Sequence, residues 1–167
     1  MHTARSLITE LELQPHPEGG WFREVFRSAG RLQPSALPER YLGSRAYATS
    51  IVYLLETGEV SRFHRLRSDE LWHFYEGAPL LLHTLSDNGD HTVRTLGRDL
   101  RNGEQFMLPV PQDVWMAAEV RSAPGYSLLG CTVAPGFDFS DFELGKRADL
   151  LAAFPAQNSI IERFTTP

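Results

Sequence analysis

The feature that most constrains this chain is a succession of short β-prone runs between Ala46 and Pro135. Each run is rich in branched and aromatic side chains, and most are separated by Gly, Pro, Asn or Asp residues that favour turns. The runs span residues 49–55, 60–66, 71–75, 80–85, 105–110, 114–118 and 126–133. Short strands at this spacing are typical of antiparallel sandwiches and barrels. We therefore predict an all-β core over about residues 46–135.

The two flanks of this core carry helical patterns. Leu7, Ile8 and Leu11 recur at helical spacing behind Thr3, a suitable N-cap, and predict a short amphipathic helix. A proline- and glycine-rich segment then leads into a strand near Trp21, so residues 3–28 form a helix-and-strand arm. In the C-terminal segment 136–167, apolar residues at 150, 151 and 154 predict a short helix followed by an extended tail. Residues 29–41 are interpreted as a surface loop, so one domain spans residues 1–167.

Charge and cysteine content narrow the classes of partner. The formal net charge is −5, which disfavours a nucleic-acid backbone as ligand. Cys131 is the single cysteine, so the chain can form no internal disulfide, and its apolar surroundings predict a buried structural thiol. We see no export signal or membrane segment in the sequence. These features predict a cytoplasmic protein without nucleic-acid or membrane partners.

A segment in the middle of the chain carries a recognisable motif. Residues 58–77 read GEVSRFHRLRSDELWHFYEG, with Gly58, His64, Glu70 and Gly77 at the spacing of the first cupin motif. Leu66 stands where that motif has a second histidine. The segment therefore resembles a cupin motif that lacks one of its usual metal ligands.

The second cupin motif is matched less completely. Gly103 and Pro109 occur at the expected interval, but Val114 and Trp115 stand where the motif has its histidine. Two of the four customary metal ligands are thus apolar or aromatic, and His64 with Glu70 alone would form a weak chelate.

Three longer segments give a closer resemblance. Residues 15–22 (PHPEGGWF), 63–75 and 130–143 are similar to signatures of the cupin-5 branch of the cupin superfamily, which is catalogued as a domain of unknown function. The resemblance implies a cupin double-stranded β-helix, a jelly-roll barrel, that pairs into a homodimer. It implies no particular reaction, because the activity of that branch is not settled.

Strand alternation indicates which side chains share a face. His64 shares a face with Arg62, and Glu70 shares one with Trp72 and Phe74, whereas His73 points the other way. If the motif faces inward, the barrel contains an imidazole, a carboxylate and a guanidinium next to a layer of aromatic side chains. The expected ligand-binding residues are Arg62, Trp72, Phe74 and Trp115, with His16 and Glu18 at the mouth of the pocket.

The first hypothesis is a pocket enzyme that needs no metal and acts on a sugar-like or carbonyl substrate. His64 would be its acid or base and Glu70 the catalytic partner, as epimerisation or isomerisation requires a base that titrates near neutral pH. Arg62 would hold an anionic group. Alternatively, His64 and Glu70 simply satisfy each other inside the barrel.

Two further hypotheses stay open. In the second, His64 and Glu70 bind a divalent metal together with His73 or His83, as in an oxygenase-type cupin enzyme. In the third, the same barrel is a non-catalytic binding module for a small molecule. The cofactor is therefore undetermined. The run of acidic and aromatic residues at 135–143 is interpreted as a packing strap or dimer contact.

Overall fold

The computed structural model describes residues 2–121 and 125–167, and most of its regular structure is β-strand. The α-helices are α1 (Ala4–Glu10), α2 (Arg147–Ala153) and α3 (Asn158–Arg163). The strands of the first half are β1 (Gln14–Pro15), β2 (Trp21–Arg27), β3 (Arg31–Leu32), β4 (Arg45–Ala46), β5 (Thr49–Glu56), β6 (Val60–Leu66) and β7 (Asp69–Gly77). The remaining strands are β8 (Leu80–Leu85), β9 (His91–Leu96), β10 (Met107–Val110), β11 (Trp115–Val120), β12 (Tyr126–Ala134) and β13 (Phe142–Leu144).

Two antiparallel sheets enclose the core. The first has the strand order β1-β2-β5-β12-β7-β10, and the second has the order β13-β6-β11-β8-β9. Strands distant in sequence lie side by side, and β12 pairs with both β5 and β7. This is the jelly-roll arrangement, so the predicted all-β, double-stranded β-helix with short terminal helices is confirmed.

Three apolar clusters hold these layers together. The largest lies between the two sheets and includes Tyr53, Trp72 and Leu82, all of which are buried. A second cluster joins the outer face of the second sheet to α2 and α3, and a third lies under α1. Burial of one such side chain stabilises the fold by roughly 1.5–3 kcal/mol.

The motif glycine Gly77 lies where two strands approach closely. Its φ of 98° is in the left-handed region, and a Cβ at this position would lie 2.1 Å from the carbonyl oxygen of Tyr126. Glycine is therefore required for β7 to end against β12.

The predicted elements are mostly in place. Strands β6 and β8 have the predicted bounds, and Thr3 caps α1 by accepting a hydrogen bond from the Ser6 backbone N–H. Strand β9 was not predicted, because it is an edge strand with mostly exposed or half-buried side chains. The predicted extended tail is wrong at α3, where Ile161 is buried against the second sheet.

A buried ion pair anchors the segment that precedes β13, which we call the strap (residues 135–142). The Arg45 guanidinium donates from Nε to Asp141 Oδ2 over 2.6 Å and from Nη2 to Asp141 Oδ1 over 2.7 Å. Nη1 also donates to the carbonyls of Gly43 and Ser44. Because both side chains are only 3% exposed, the pair fixes the strap rigidly to β4.

No helix in the described part of the chain is long and apolar enough to cross a membrane.

We expect Asp141→Asn to lower the free energy of unfolding by about 3 kcal/mol, because it leaves a buried guanidinium without its counter-charge. Glu143→Gln is the matched control, since the Arg65–Glu143 pair is largely exposed and its loss should cost less than about 1 kcal/mol. Urea unfolding of both variants checks the difference. Equal losses would show that the buried pair does not anchor the strap.

Candidate functional site

The proline- and glycine-rich turn at residues 16–20 places two side chains inside the barrel. The His16 N–H donates to the Gly20 carbonyl, and the Tyr53 hydroxyl donates to the Gly19 carbonyl over 2.8 Å. Gly19 has a φ of 115°, and a Cβ there would lie 2.1 Å from the Val60 carbonyl oxygen. The turn therefore lies directly on the barrel wall and buries Glu18, which is 5% exposed.

His64 on β6 and Glu18 lie within ion-pair distance of each other. His64 Nδ1 lies 2.8 Å from the Arg62 carbonyl oxygen, which only accepts, so Nδ1 carries a proton. His64 Nε2 lies 3.1 Å from Glu18 Oε2. The imidazole and the carboxyl group are therefore close enough for a proton to pass between them. Ser61 Oγ donates to the other oxygen, Glu18 Oε1, over 2.9 Å.

His16 completes the contacts of this carboxyl group. Its Nδ1 accepts a hydrogen bond from the Glu18 backbone N–H over 3.2 Å and lies 3.4 Å from Glu18 Oε2. Burial lowers the pKa of His16, while Glu18 raises it and His64 lowers it further. A neutral His16 that accepts at Nδ1 carries its proton on Nε2, so it can donate one hydrogen bond to a ligand.

Glu70 on β7 is the second buried acid. Trp72 Nε1 donates to Glu70 Oε2 over 2.9 Å, from the core side of the strand. Burial raises the pKa of Glu70 to about 8, the Glu18 charge acts in the same direction, and the Trp72 hydrogen bond opposes it. Glu70 is therefore largely a neutral carboxylic acid at pH 7 and can donate its proton.

These four side chains line one cavity of about 230 Å³ between the turn, the first sheet and the strap. Its inner wall also includes Cys131 and Thr49, which are buried. The outer part is formed by β2 and the strap, and its lining residues there are Phe22, Glu24, Arg27, Phe137, Asp138, Phe139 and Phe142. A largely apolar cavity with a few converging polar groups is typical of small-molecule sites.

The structure brings together four of the predicted site residues, His16, Glu18, His64 and Glu70. His64 instead contacts the Arg62 carbonyl and Glu18, while Glu70 accepts from the Trp72 indole, which corrects the expectation that His64 and Glu70 satisfy each other. The Phe–Asp run of the strap, interpreted as packing or a dimer contact, lines the cavity.

The other four predicted ligand-binding residues do not line this cavity. Arg62 donates through Nη2 to the Pro17 carbonyl, and so fixes the turn. Trp72 and Phe74 pack in the central core, where Trp72 supports Glu70 from behind. Trp115 belongs to the outer cluster under α2 and α3 and contacts Arg65, because β11 turns this side chain away from the interior.

The alternation of side chains along each strand also separates the predicted metal ligands. His73 lies on the outer face of the first sheet, with Nε2 3.2 Å from Thr132 Oγ1, and His83 lies on the outer face of the second sheet, 3.0 Å from His91. Among the described residues, no three His, Cys, Asp or Glu side chains form a group that could hold a metal. Both ring nitrogens of His64 are already in contact with protein oxygens, so the residues present do not fit the usual cupin metal.

Sequence reasoning missed Glu24, Arg27 and Thr49 as lining residues. Alternation along β2 does place Phe22 and Glu24 on one face, but the register shifts between Glu24 and Phe26. That irregularity is not visible in the sequence, and it changes which of the following side chains reach the cavity.

Comparison with known proteins gives consistent matches over the whole chain. A family model described as Cupin superfamily (DUF985), Cupin_5, matches residues 5–145. A protein from Shewanella oneidensis of known structure is 39% identical with a TM-score of 0.91, over 100% of this chain and 99% of that one. A hypothetical protein from Leishmania major is 31% identical with a TM-score of 0.90, over 99% and 100% of the two chains.

An uncharacterized protein of Saccharomyces cerevisiae is 27% identical over 156 residues, which are 88% of this chain and 77% of the yeast protein. None of these three names states a reaction or a ligand.

The buried Glu70 should make stability depend on pH. Its pKa of about 8 lies above the ordinary value of 4.5, so the folded state keeps a proton that the unfolded chain releases between these values. As pH rises from about 5 to about 8, the wild type should therefore lose stability relative to Glu70→Gln, by up to ~1.4 kcal/mol per pH unit.

Urea unfolding of both proteins at pH 5 and pH 7.5 measures this difference. Glutamine keeps the shape of the side chain and an acceptor for the Trp72 indole, so the comparison isolates the titrating proton. Parallel stability curves would contradict the raised pKa.

Proposed function

This chain belongs to the Cupin_5 family of the cupin superfamily, and we propose that its cavity binds a small hydroxycarbonyl compound and isomerises it by proton transfer. The family membership supports the fold and leaves the reaction open. The proposal therefore depends on the chemistry of the cavity itself.

One observation carries the proposal: an imidazole in contact with a carboxyl group, and a separate carboxylic acid, line the same small cavity. The pair consists of His64 and Glu18, with His64 Nε2 3.1 Å from Glu18 Oε2, and we assign it the role of base. Glu70 is held protonated by its burial and can give a proton away. Acid–base catalysis at neutral pH requires a proton acceptor and a proton donor in one site.

The proposed step balances in protons and charge. The His64–Glu18 pair removes the proton from the carbon next to the ligand carbonyl, while Glu70 donates its proton to the carbonyl oxygen. The ligand becomes an enediol, the pair gains one positive charge and Glu70 becomes a carboxylate. The pair then returns a proton to the neighbouring carbon, or to the other face of the same carbon, and Glu70 takes back a proton from an enediol hydroxyl. This gives the isomer or epimer and restores both groups.

His16 and Tyr53 contribute to this step through position. A neutral His16 presents its Nε2–H as a donor that binds a hydroxyl or carbonyl oxygen without adding charge. Tyr53 holds the turn that carries Glu18. No step is assigned to a metal, because the side chains that surround His64 do not assemble its usual ligand set.

The test is solvent deuterium exchange in D2O, followed by NMR, on a panel of aldoses and ketoses of three to six carbons. We expect deuterium to enter the carbon next to the carbonyl of a bound compound. Glu70→Gln and His64→Ala should each reduce this exchange by about 100-fold or more, since a general acid or base contributes at least that factor.

His73→Ala is the matched control, because His73 lies on the same strand as Glu70 but on the outer face, and it should exchange as fast as the wild type. Unfolding curves of all variants separate a chemical effect from a loss of folding. A compound that binds without exchange would contradict the isomerase and leave a binding module.

A further inference from the structure

The charge distribution around the cavity restricts the class of ligand further. We infer that the cavity accepts an uncharged hydroxycarbonyl or polyhydroxy compound and excludes carboxylates and phosphate esters. This inference rests on the site proposed above and concerns the charge of its ligand.

Among the described residues, the inner wall offers no free cation to an anionic ligand. His64 has a carbonyl on Nδ1 and the Glu18 carboxyl group on Nε2, so any positive charge on its ring already faces a carboxylate. His16 is kept neutral by burial. An anion placed here would lose its hydration and find no opposite charge, which is strongly unfavourable.

The mouth of the cavity carries two carboxylates, Glu24 and Asp138, against one guanidinium, Arg27. Arg27 binds Glu24 through two parallel hydrogen bonds of 2.8 and 2.6 Å, and two of its nitrogens also donate to the Phe137 carbonyl. The Arg27 guanidinium is therefore already hydrogen-bonded within the protein. Asp138 accepts from the Ser140 N–H and hydroxyl, stays ionised and adds a negative charge at the entrance.

The donors that remain inside are neutral. They include the Glu70 carboxylic acid and the His16 Nε2–H. Neutral donors bind carbonyl and hydroxyl oxygens, which need no compensating charge. The Phe137, Phe139 and Phe142 rings contact one another edge to face along the strap and provide an apolar wall for the carbon skeleton.

The experiment compares matched ligands that differ only in charge. Neutral aldoses and ketoses of three to six carbons are tested for binding by saturation-transfer NMR and calorimetry, beside the aldonate, uronate and phosphate-ester counterpart of each. We expect binding among the neutral compounds and at least about tenfold weaker binding of each charged counterpart.

A charge-removal variant sharpens this comparison. Glu24→Gln removes the carboxylate that holds the Arg27 guanidinium, so the affinity of each charged counterpart relative to its neutral compound should rise about tenfold over the wild type. Glu143→Gln is the control, since it removes one negative charge on β13, outside the cavity, and should leave all affinities unchanged.

Equal or tighter binding of a charged counterpart by the wild type would overturn the inference, and so would a failure of every neutral compound to bind. A neutral compound that binds without deuterium exchange supports this inference and contradicts the isomerase. Deuterium exchange on a charged compound would support the isomerase and contradict this inference. The two proposals can therefore fail separately.

Discussion

A carboxyl group buried in an apolar barrel must either find hydrogen-bond donors or keep its proton, and the rest of this site depends on how two glutamates meet that requirement. Glu18 finds donors, with the Ser61 hydroxyl on one oxygen and His64 near the other. Glu70 has the Trp72 indole as its donor, and burial raises its pKa to about 8. The same interior therefore contains one glutamate in contact with an imidazole and one that keeps its proton, and the difference comes from their neighbours rather than from their residue type.

The Glu18 arrangement depends on backbone features far from the motif strands. The turn at residues 16–20 reaches the barrel only because Gly19 tolerates contact with the Val60 carbonyl. On the opposite side, the strap is fixed by the buried Arg45–Asp141 pair and by the Thr49 hydroxyl, which accepts from the Phe137 N–H. The cavity is thus closed by two segments outside the central strands, and both contribute side chains to its lining.

The sequence predicted the fold well because strand alternation and turn residues are local signals. It also named the four polar residues of the cavity, since His64 and Glu70 belong to a spaced motif and the turn with His16 and Glu18 is compositionally distinct. It placed His16 and Glu18 at the mouth, whereas the structure buries Glu18 inside the barrel. It could not assign the partner of His64, because Glu18 is distant in sequence and its approach is set by the packing of the turn. Strand register decides which face of a sheet the side chains of Trp115 and of the residues after Glu24 lie on. In β2 the register shifts at an irregularity after Glu24.

The two departures from the cupin motifs have a common physical consequence. Leu66, at the position of the second motif histidine, points into the apolar core, and Trp115, at the position of the last, packs under the terminal helices. Without these imidazoles, His64 has no neighbouring histidine from either motif with which to hold a cation. Its ring nitrogens instead contact a backbone carbonyl and Glu18, which is supplied by the N-terminal turn. The polar groups of the cavity are therefore arranged around contacts within the protein rather than around the ligand set of a metal.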